Sequence, residues 1–399
     1  MEPKQNKKPT SAEISASRIE AFFNVADRPT REQCDKHALA ITGQIHCEAA
    51  PAQGCQSYTL ICYGKPRNMA AVVVDQAKSS VVQFRLAESQ LDMENMATAR
   101  IIHGDIVPET RLADPLGNLL VYISERKPGL TPRQLAPTTP NMNKAKQTLM
   151  ENFMQELALY FKSCWVAKID RKHKLERDTR VVQTWDRMQL IRECETGLFV
   201  GKHINLVEEN MAYVHDPMHG QTLMHGDLNL TNFLVNPTTF KISGLVDWAS
   251  ARYEQFGYEL YIVQMATGYN VALEDGGFKF YNNHKHLKRV FWDTFFRLLN
   301  IGSIAEARLF MEQLRPAWRL GLILREAFVH SADGQITDEV VLPLPENGVQ
   351  LFQLQAMLND EEDFFELLYN EDYQREQEKE EHKLLKQLQE EGAETTDAL

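Results

Sequence analysis

Asp227, Asn232 and Asp247 are the residues of this chain best placed to do chemistry. All three lie in Met224–Ser250, MHGDLNLTNFLVNPTTFKISGLVDWAS. A carboxylate such as Asp227, ionised at neutral pH, can receive the proton of an attacking hydroxyl. An amide oxygen and a second carboxylate can hold Mg2+ on nucleotide phosphates, since Mg2+ takes one or two protein oxygens and keeps waters and phosphates for the rest. Phosphoryl transfer needs that combination.

The spacing asks for particular elements. Asp227 and Asn232 are five apart, which suits a tight loop. Phe233-Leu234-Val235 reads as a short buried strand, Asn236-Pro237-Thr238-Thr239 as a turn, and Phe240 to Val246 as the returning strand. A hairpin brings its two ends together, so Asn232 and Asp247 can meet. His225 is expected to brace the loop. A second His-Gly-Asp, His103-Gly104-Asp105, serves as a control: five residues after Asp105 stands Thr110, and no strand ending in Asp-Trp follows. That copy reads as a polar loop between a helix and a strand, without a catalytic role.

The segment resembles the aminoglycoside phosphotransferase and choline-kinase-like family, and most closely its fungal members. HGDLNLTN is similar to the family's HGD-x4-N loop, and LVDWA to its metal-binding aspartate strand. The resemblance spans roughly residues 50–330 and is strongest in this loop. It implies an α+β, two-lobed protein-kinase-like fold, with a small antiparallel-sheet N-lobe and a larger helical C-lobe. It also implies ATP and Mg2+, with Asp227 as catalytic base and Asn232 and Asp247 as metal ligands.

The surrounding elements agree with such a division. Tyr58–Tyr63, Ala70–Val74, Val81–Arg85 and Leu119–Ser124 read as strands, and Leu91–Ile102 as a helix. Glu125-Arg126-Lys127-Pro128-Gly129 breaks the pattern and resembles the hinge that meets the adenine ring, which makes Glu125 a nucleotide-binding candidate. Leu149, Phe153, Leu157 and Cys164 then fall at helical spacing. Further helical patterns run near 184–198, 256–267, 285–300 and 304–328. The expected domains are an N-terminal extension (1–48), the nucleotide-binding N-lobe (49–125), the C-lobe (126–350) and an acidic helical tail (351–399).

On the nucleotide side, Gly54 and Ser57 precede the first strand of the sheet and resemble a sparse phosphate loop; a glycine there lets backbone approach phosphate. Arg85 stands on the third strand, where a lysine is usual, with Gln83 on its face and Val82 and Phe84 opposite. Glu94, or else Asp92, is the acid expected to orient it. Clustered histidines at 215/219/225 and 284/286 could ligate a transition metal, but exposure or hydrogen bonding is the default.

Composition narrows the function class. Of 399 residues, 43% are hydrophobic and 25% charged, and the net charge is −12. Residues 351–399 hold 15 acids against 4 bases, a net of −11, so the body is near −1. A nucleic-acid groove is not expected from that balance. The six scattered cysteines read as reduced, mostly structural thiols, the polar start MEPKQNKKPTS carries no secretory leader, and no apolar run is long enough for a membrane span. A cytoplasmic protein is the expectation. Asn229 stands where protein kinases carry lysine, no Ala-Pro-Glu follows Asp247, and the chain turns helical soon after Trp248. The acceptor is therefore expected to be a small-molecule hydroxyl. A nucleotide- or protein-binding module without turnover, of pseudokinase type, is the second reading. The acidic tail, amphipathic at first, reads as a solvated helix docked by its apolar side and fraying at the end, or as a site for a protein partner.

Overall fold

The computed structural model describes residues 11–64, 79–169, 174–214, 220–272, 276–330, 336–343 and 348–369. The strand expected at Ala70–Val74, His215, His219 and the tail beyond Tyr369 lie outside them.

Two helices come first, α1 (Ser11–Phe23) and α2 (Arg31–Thr42). Thr30 and Gln33 form a reciprocal capping box that starts α2, and Gly43 in the left-handed region ends it. Five strands follow: β1 (His46–Ala49), β2 (Ser57–Tyr63), β3 (Ser80–Leu86), then helix α3 (Met93–His103), β4 (Thr110–Leu116) and β5 (Leu119–Glu125). Among the described residues they form an antiparallel sheet in the order β1-β2-β3-β5-β4. Alternation decides its two faces. Tyr58, Leu60, Cys62, Val82, Phe84, Leu119, Val121 and Ile123 form one buried cluster with Phe22, Cys34 and Ala38. The residues expected as an N-terminal extension thus supply the helical layer on this face. Tyr122 points the other way, into the main core. Burial pushes the thiols of Cys34 and Cys62 up to about 12, so both sit as neutral packing groups.

After β5 the chain becomes mainly helical. Helices α4 (Pro132–Leu135), α5 (Lys144–Val166), α6 (Lys174–Arg192), α7 (Gly197–Glu209) and α8 (Met211–Val214) lead to β6 (Gln221–Met224). Strands β7 (Phe233–Val235) and β8 (Ile242–Leu245) make a hairpin, and β9 (Arg252–Gln255) pairs back on β6. Then come α9 (Tyr261–Met265), β10 (Gly268–Asn270), β11 (Phe278–Phe280), α10 (His284–Leu298), α11 (Ile304–Glu326), β12 (Phe328–His330), β13 (Ile336–Val340) and α12 (Gly348–Tyr369). The apolar stripe of α5 is fully used: Phe153, Leu157, Phe161 and Cys164 are all buried, and Phe161 meets Phe291 of α10 edge to face. The result is the α+β, two-lobed arrangement of a small sheet and a larger helical part.

Two connections matter for the site. Leu130, just past the Pro128-Gly129 break, exchanges both backbone hydrogen bonds with Val235 of β7, at 3.1 and 2.8 Å. Ser243 of β8 donates to the Pro128 carbonyl on the same side. The start of α12 is tied down as well. Lys288 of α10, wholly buried, is ion-paired with Asp360, whose other oxygen lies 3.1 Å from His284 Nε2. Gln264 of α9 donates to the Met357 carbonyl at 2.6 Å. No described helix is long and apolar enough to cross a membrane.

Candidate active site

The loop between β6 and β7 is built around its backbone. Glu259, buried just before α9, accepts from the backbone N–H of His225 at 3.1 Å and of Gly226 at 2.6 Å. Burial raises its pKa, against the pull of His225 and those two N–H groups. The His225 ring, fully buried, bonds the Val246 carbonyl at 2.8 Å and lies 4.7 Å from the Trp248 ring. Gly226 has φ +83°, and a Cβ there would sit 1.9 Å from the Ser250 carbonyl oxygen. The tripeptide is therefore a steric requirement: histidine to lock the loop on β8, glycine to pass Ser250, aspartate to face outward.

Asp227 emerges from this frame with its side chain 41% exposed. Its backbone N–H reaches His225 Nδ1 at 3.3 Å. Asn232 Nδ2 donates to the Asp227 carbonyl at 2.8 Å and stands 3.5 Å from Oδ2. With its nitrogen turned to Asp227, Asn232 presents its amide oxygen on the other side. The Val246 N–H donates to the Asn232 carbonyl at 2.9 Å, so Asp247 follows directly on the residue paired with Asn232. Asp247 has φ +67° and ψ +57°, a left-handed backbone uncommon for a residue with a side chain. An amide oxygen and a carboxylate at one hairpin end make a hard-oxygen donor set of the kind Mg2+ takes. Among the described residues no group of three or more His, Cys, Asp or Glu side chains gathers as a metal cluster. His284 faces Asp360, and His286 lies 2.8 Å from Glu151.

Other candidates fall at varying distance from this centre. Gly54 and Ser57 lie in and after the β1–β2 loop, which Gln53 pins by bonds to Ala50 and to both backbone groups of Thr59. Arg85 is on the site side of the sheet, buried, with Nε 2.7 Å from the Ser89 carbonyl. Burial lowers its pKa and the charge of Asp247 opposes the shift, which sets Arg85 near the hairpin end. Glu94 stands exposed in the first turn of α3 with no ion pair to Arg85, and Asp92 is the N-cap of that helix, accepting from the N–H of Glu94 and Asn95. Glu125 ends β5 and pairs with the buried Lys127 at 2.8 Å. Burial alone would raise its pKa; Lys127, the Glu109 N–H and Arg100 outweigh that and hold it low.

Sequence reasoning missed three residues. Arg325 of α11 reaches Asp227 Oδ1 and the Tyr261 hydroxyl with Nη1, at 3.2 and 3.0 Å, and Tyr261 donates onward to the Leu228 carbonyl at 3.0 Å. Burial would lower the pKa of Arg325, but Tyr261, Glu326 and Asp227 hold it above the ordinary value. Glu259 is the third. None of these has a local spacing signal; only the unmet donors of the His-Gly-Asp loop hinted at an acceptor. His103 belongs to the second His-Gly-Asp. Its ring stacks on Tyr160 at 4.5 Å and lies 5.8 Å from Trp248. Burial drives its pKa down to about 3. The control tripeptide is thus a polar turn after α3 whose histidine packs behind the candidate loop.

A cavity of about 180 Å³ adjoins the loop, between Gly226, Glu259 and Arg325 on one side and α6 and β9 on the other. Gly321 of α11 lines it; a Cβ there would meet the Tyr258 carbonyl at 1.9 Å, so only glycine lets α11 bring Arg325 this close.

Comparison with known proteins places this arrangement. No curated protein sequence matches the chain. Similar solved structures include the GDP complex of wild-type aminoglycoside 2'-phosphotransferase-IIIa (11% identity, 85% of this chain and 98% of that one, TM-score 0.45). Plasmodium vivax ethanolamine kinase is another (9%, 88% and 96%, 0.47), as is choline kinase from Cryptosporidium parvum (11%, 82% and 94%, 0.46). Residues 107–284 match the phosphotransferase enzyme family. That segment holds the His-Gly-Asp loop and the Asp247 hairpin, and it is there that the chain is similar to the phosphotransferase enzyme family.

Proposed function

We infer that this protein transfers the γ-phosphoryl group of ATP to a hydroxyl of a small molecule. One observation carries the reading: the exposed carboxylate of Asp227 stands beside Asn232, and Asn232 is bonded to Val246, next to Asp247, at the open end of the β7–β8 hairpin. Mg2+ bound with the nucleotide would supply counter-charge for the phosphates, and Asn232 and Asp247 are the residues to hold it. The acceptor oxygen attacks the γ-phosphorus, its proton passes to Asp227, and the bond to the β-phosphate oxygen breaks. Arg325 and Asn232 fix the orientation of the carboxylate. His225 and Glu259 hold the loop against β8 and α9. Gly54, Ser57 and Arg85 line the phosphate side, and the stretch from Glu125 meets the base.

A small acceptor fits the chain after Asp247. A single turn, β9 and then α9 follow within eighteen residues, with no long platform for a peptide. Asp227→Ala is expected to lower turnover about 10²- to 10⁴-fold while calorimetry still shows Mg-ATP binding. Wild-type protein without Mg-dependent nucleotide binding would sink the reading. The pseudokinase alternative draws on Arg85, whose guanidinium is engaged with Ser89, and on the exposed Glu94. It predicts binding without turnover for any acceptor.

A further inference from the structure

We propose that the acceptor carries an anionic group, a carboxylate, phosphate or sulfate, seated on Arg187 and Arg252 of the cavity beside Asp227. This rests on the phosphotransferase reading and names its substrate class. Three guanidinium groups from three separate elements line the cavity: Arg187 from α6, Arg252 from β9 and Arg325 from α11. The carboxylates among the lining residues are Glu254 and Glu259. Both oxygens of Glu259 are taken by the N–H groups of His225 and Gly226. Glu254 is 3.0 Å from Arg252 Nε. An ammonium ligand would therefore find its acids already engaged.

Anion donors are more plentiful. Each guanidinium offers five N–H groups in a planar fork that suits carboxylate and phosphate. Arg252 uses Nε on Glu254 and Nη1 on the Ser250 carbonyl; Arg187 uses Nε on Asp338 and Nη2 on the Ile336 carbonyl. These bonds hold both groups in place, with side chains about a quarter exposed. Arg325 joins the two halves of the site, since it lines the cavity and touches Asp227. The anion would sit on Arg187 and Arg252 while the hydroxyl lies at Asp227.

The test separates the pocket from the reaction. Phosphate, sulfate and lactate, each titrated by calorimetry without nucleotide, are expected to bind the wild type. Arg187→Gln with Arg252→Gln should weaken that binding at least tenfold and leave Mg-ATP affinity unchanged. In turnover with Mg-ATP, hydroxy acids, polyol phosphates and hydroxy sulfonates are compared with glycerol and choline, which identifies the anionic group. The double variant should raise KM for the acidic acceptor more than it lowers kcat. The proposal is overturned if choline or glycerol is preferred, if no anion binds, or if anion binding survives both substitutions. Anion binding without Mg-ATP binding would instead overturn the phosphotransferase reading and leave the pocket standing.

Discussion

At the residue scale, each candidate side chain depends on a neighbour that holds it. Asp227 is free to act because Asn232 and Arg325 orient it. Asp247 takes a left-handed backbone just past the end of β8. Asp247→Ala should abolish the Mg-dependent thermal shift given by ATP; a shift equal to that of the wild type would remove Asp247 from the metal site. The types and spacing of these three residues were legible from sequence, since a hairpin brings Asn232 and Asp247 together by geometry alone. Arg325 was not legible. It lies 98 positions from Asp227, and such a contact is set by how α11 packs.

His103 supplies a pH prediction. Its folded pKa of about 3 lies below its ordinary 6.5, because burial disfavours the charged ring. The unfolded chain takes up a proton first, so stability is lost as pH falls from 6.5 towards 3, by at most about 1.4 kcal/mol per unit. His103→Phe keeps the stack on Tyr160 and removes the titration. Urea midpoints between pH 7 and 5 should fall less steeply for the variant; parallel curves would show that His103 contributes no such term.

At the element scale, the β7–β8 hairpin was readable because Asn236 drives its turn, its side chain accepting from the N–H of Thr238 and Thr239. The returning strand is shorter than expected, Ile242–Leu245, because buried Phe240 takes φ +56° and belongs to the turn. Strand β4 carried no strand signal in the sequence: Asp114 and Pro115 argue against a strand, but an edge position with a register shift between Ala113 and Leu116 tolerates them. The helical stretch expected near 256–267 opens on a bend, 256–260, before the short α9, and Glu259 in that bend is placed to hold the loop. Gly226→Ala tests that loop. A methyl cannot coexist with the Ser250 carbonyl, so the variant should lose at least about 2 kcal/mol of stability. An unchanged denaturant midpoint would mean that the loop is not packed this way.

At the scale of the whole molecule, two layers of helix enclose the sheet and the site. The start of the tail is expected as a helix docked by its apolar side, and α12 is docked there by Leu351, Leu354, Met357 and Leu358, all buried, and by the pair of Asp360 with Lys288. The apolar residues at 351–358 were visible in the sequence; the lysine that receives Asp360, 72 positions earlier, was not. Asp360→Asn would strand a buried ammonium and should cost about 3–5 kcal/mol, seen as a lower urea midpoint and faster proteolysis near residue 348. Because Gln264 bonds Met357 and lies three residues after Tyr261, loosening α12 should also disturb the hydroxyl that supports Arg325.

The exchange of hydrogen bonds between Leu130 and Val235 gives the molecule a built-in ruler. The segment proposed to meet the adenine ring and the hairpin proposed to hold the metal share one short ladder of backbone. Their separation is thus measured in peptide units, whatever the two lobes do around them. A nucleotide of the right length spans it. Adding one residue between Glu125 and Leu130 would shift one end of that gauge by about 3.3 Å, enough to seat the base and miss the metal.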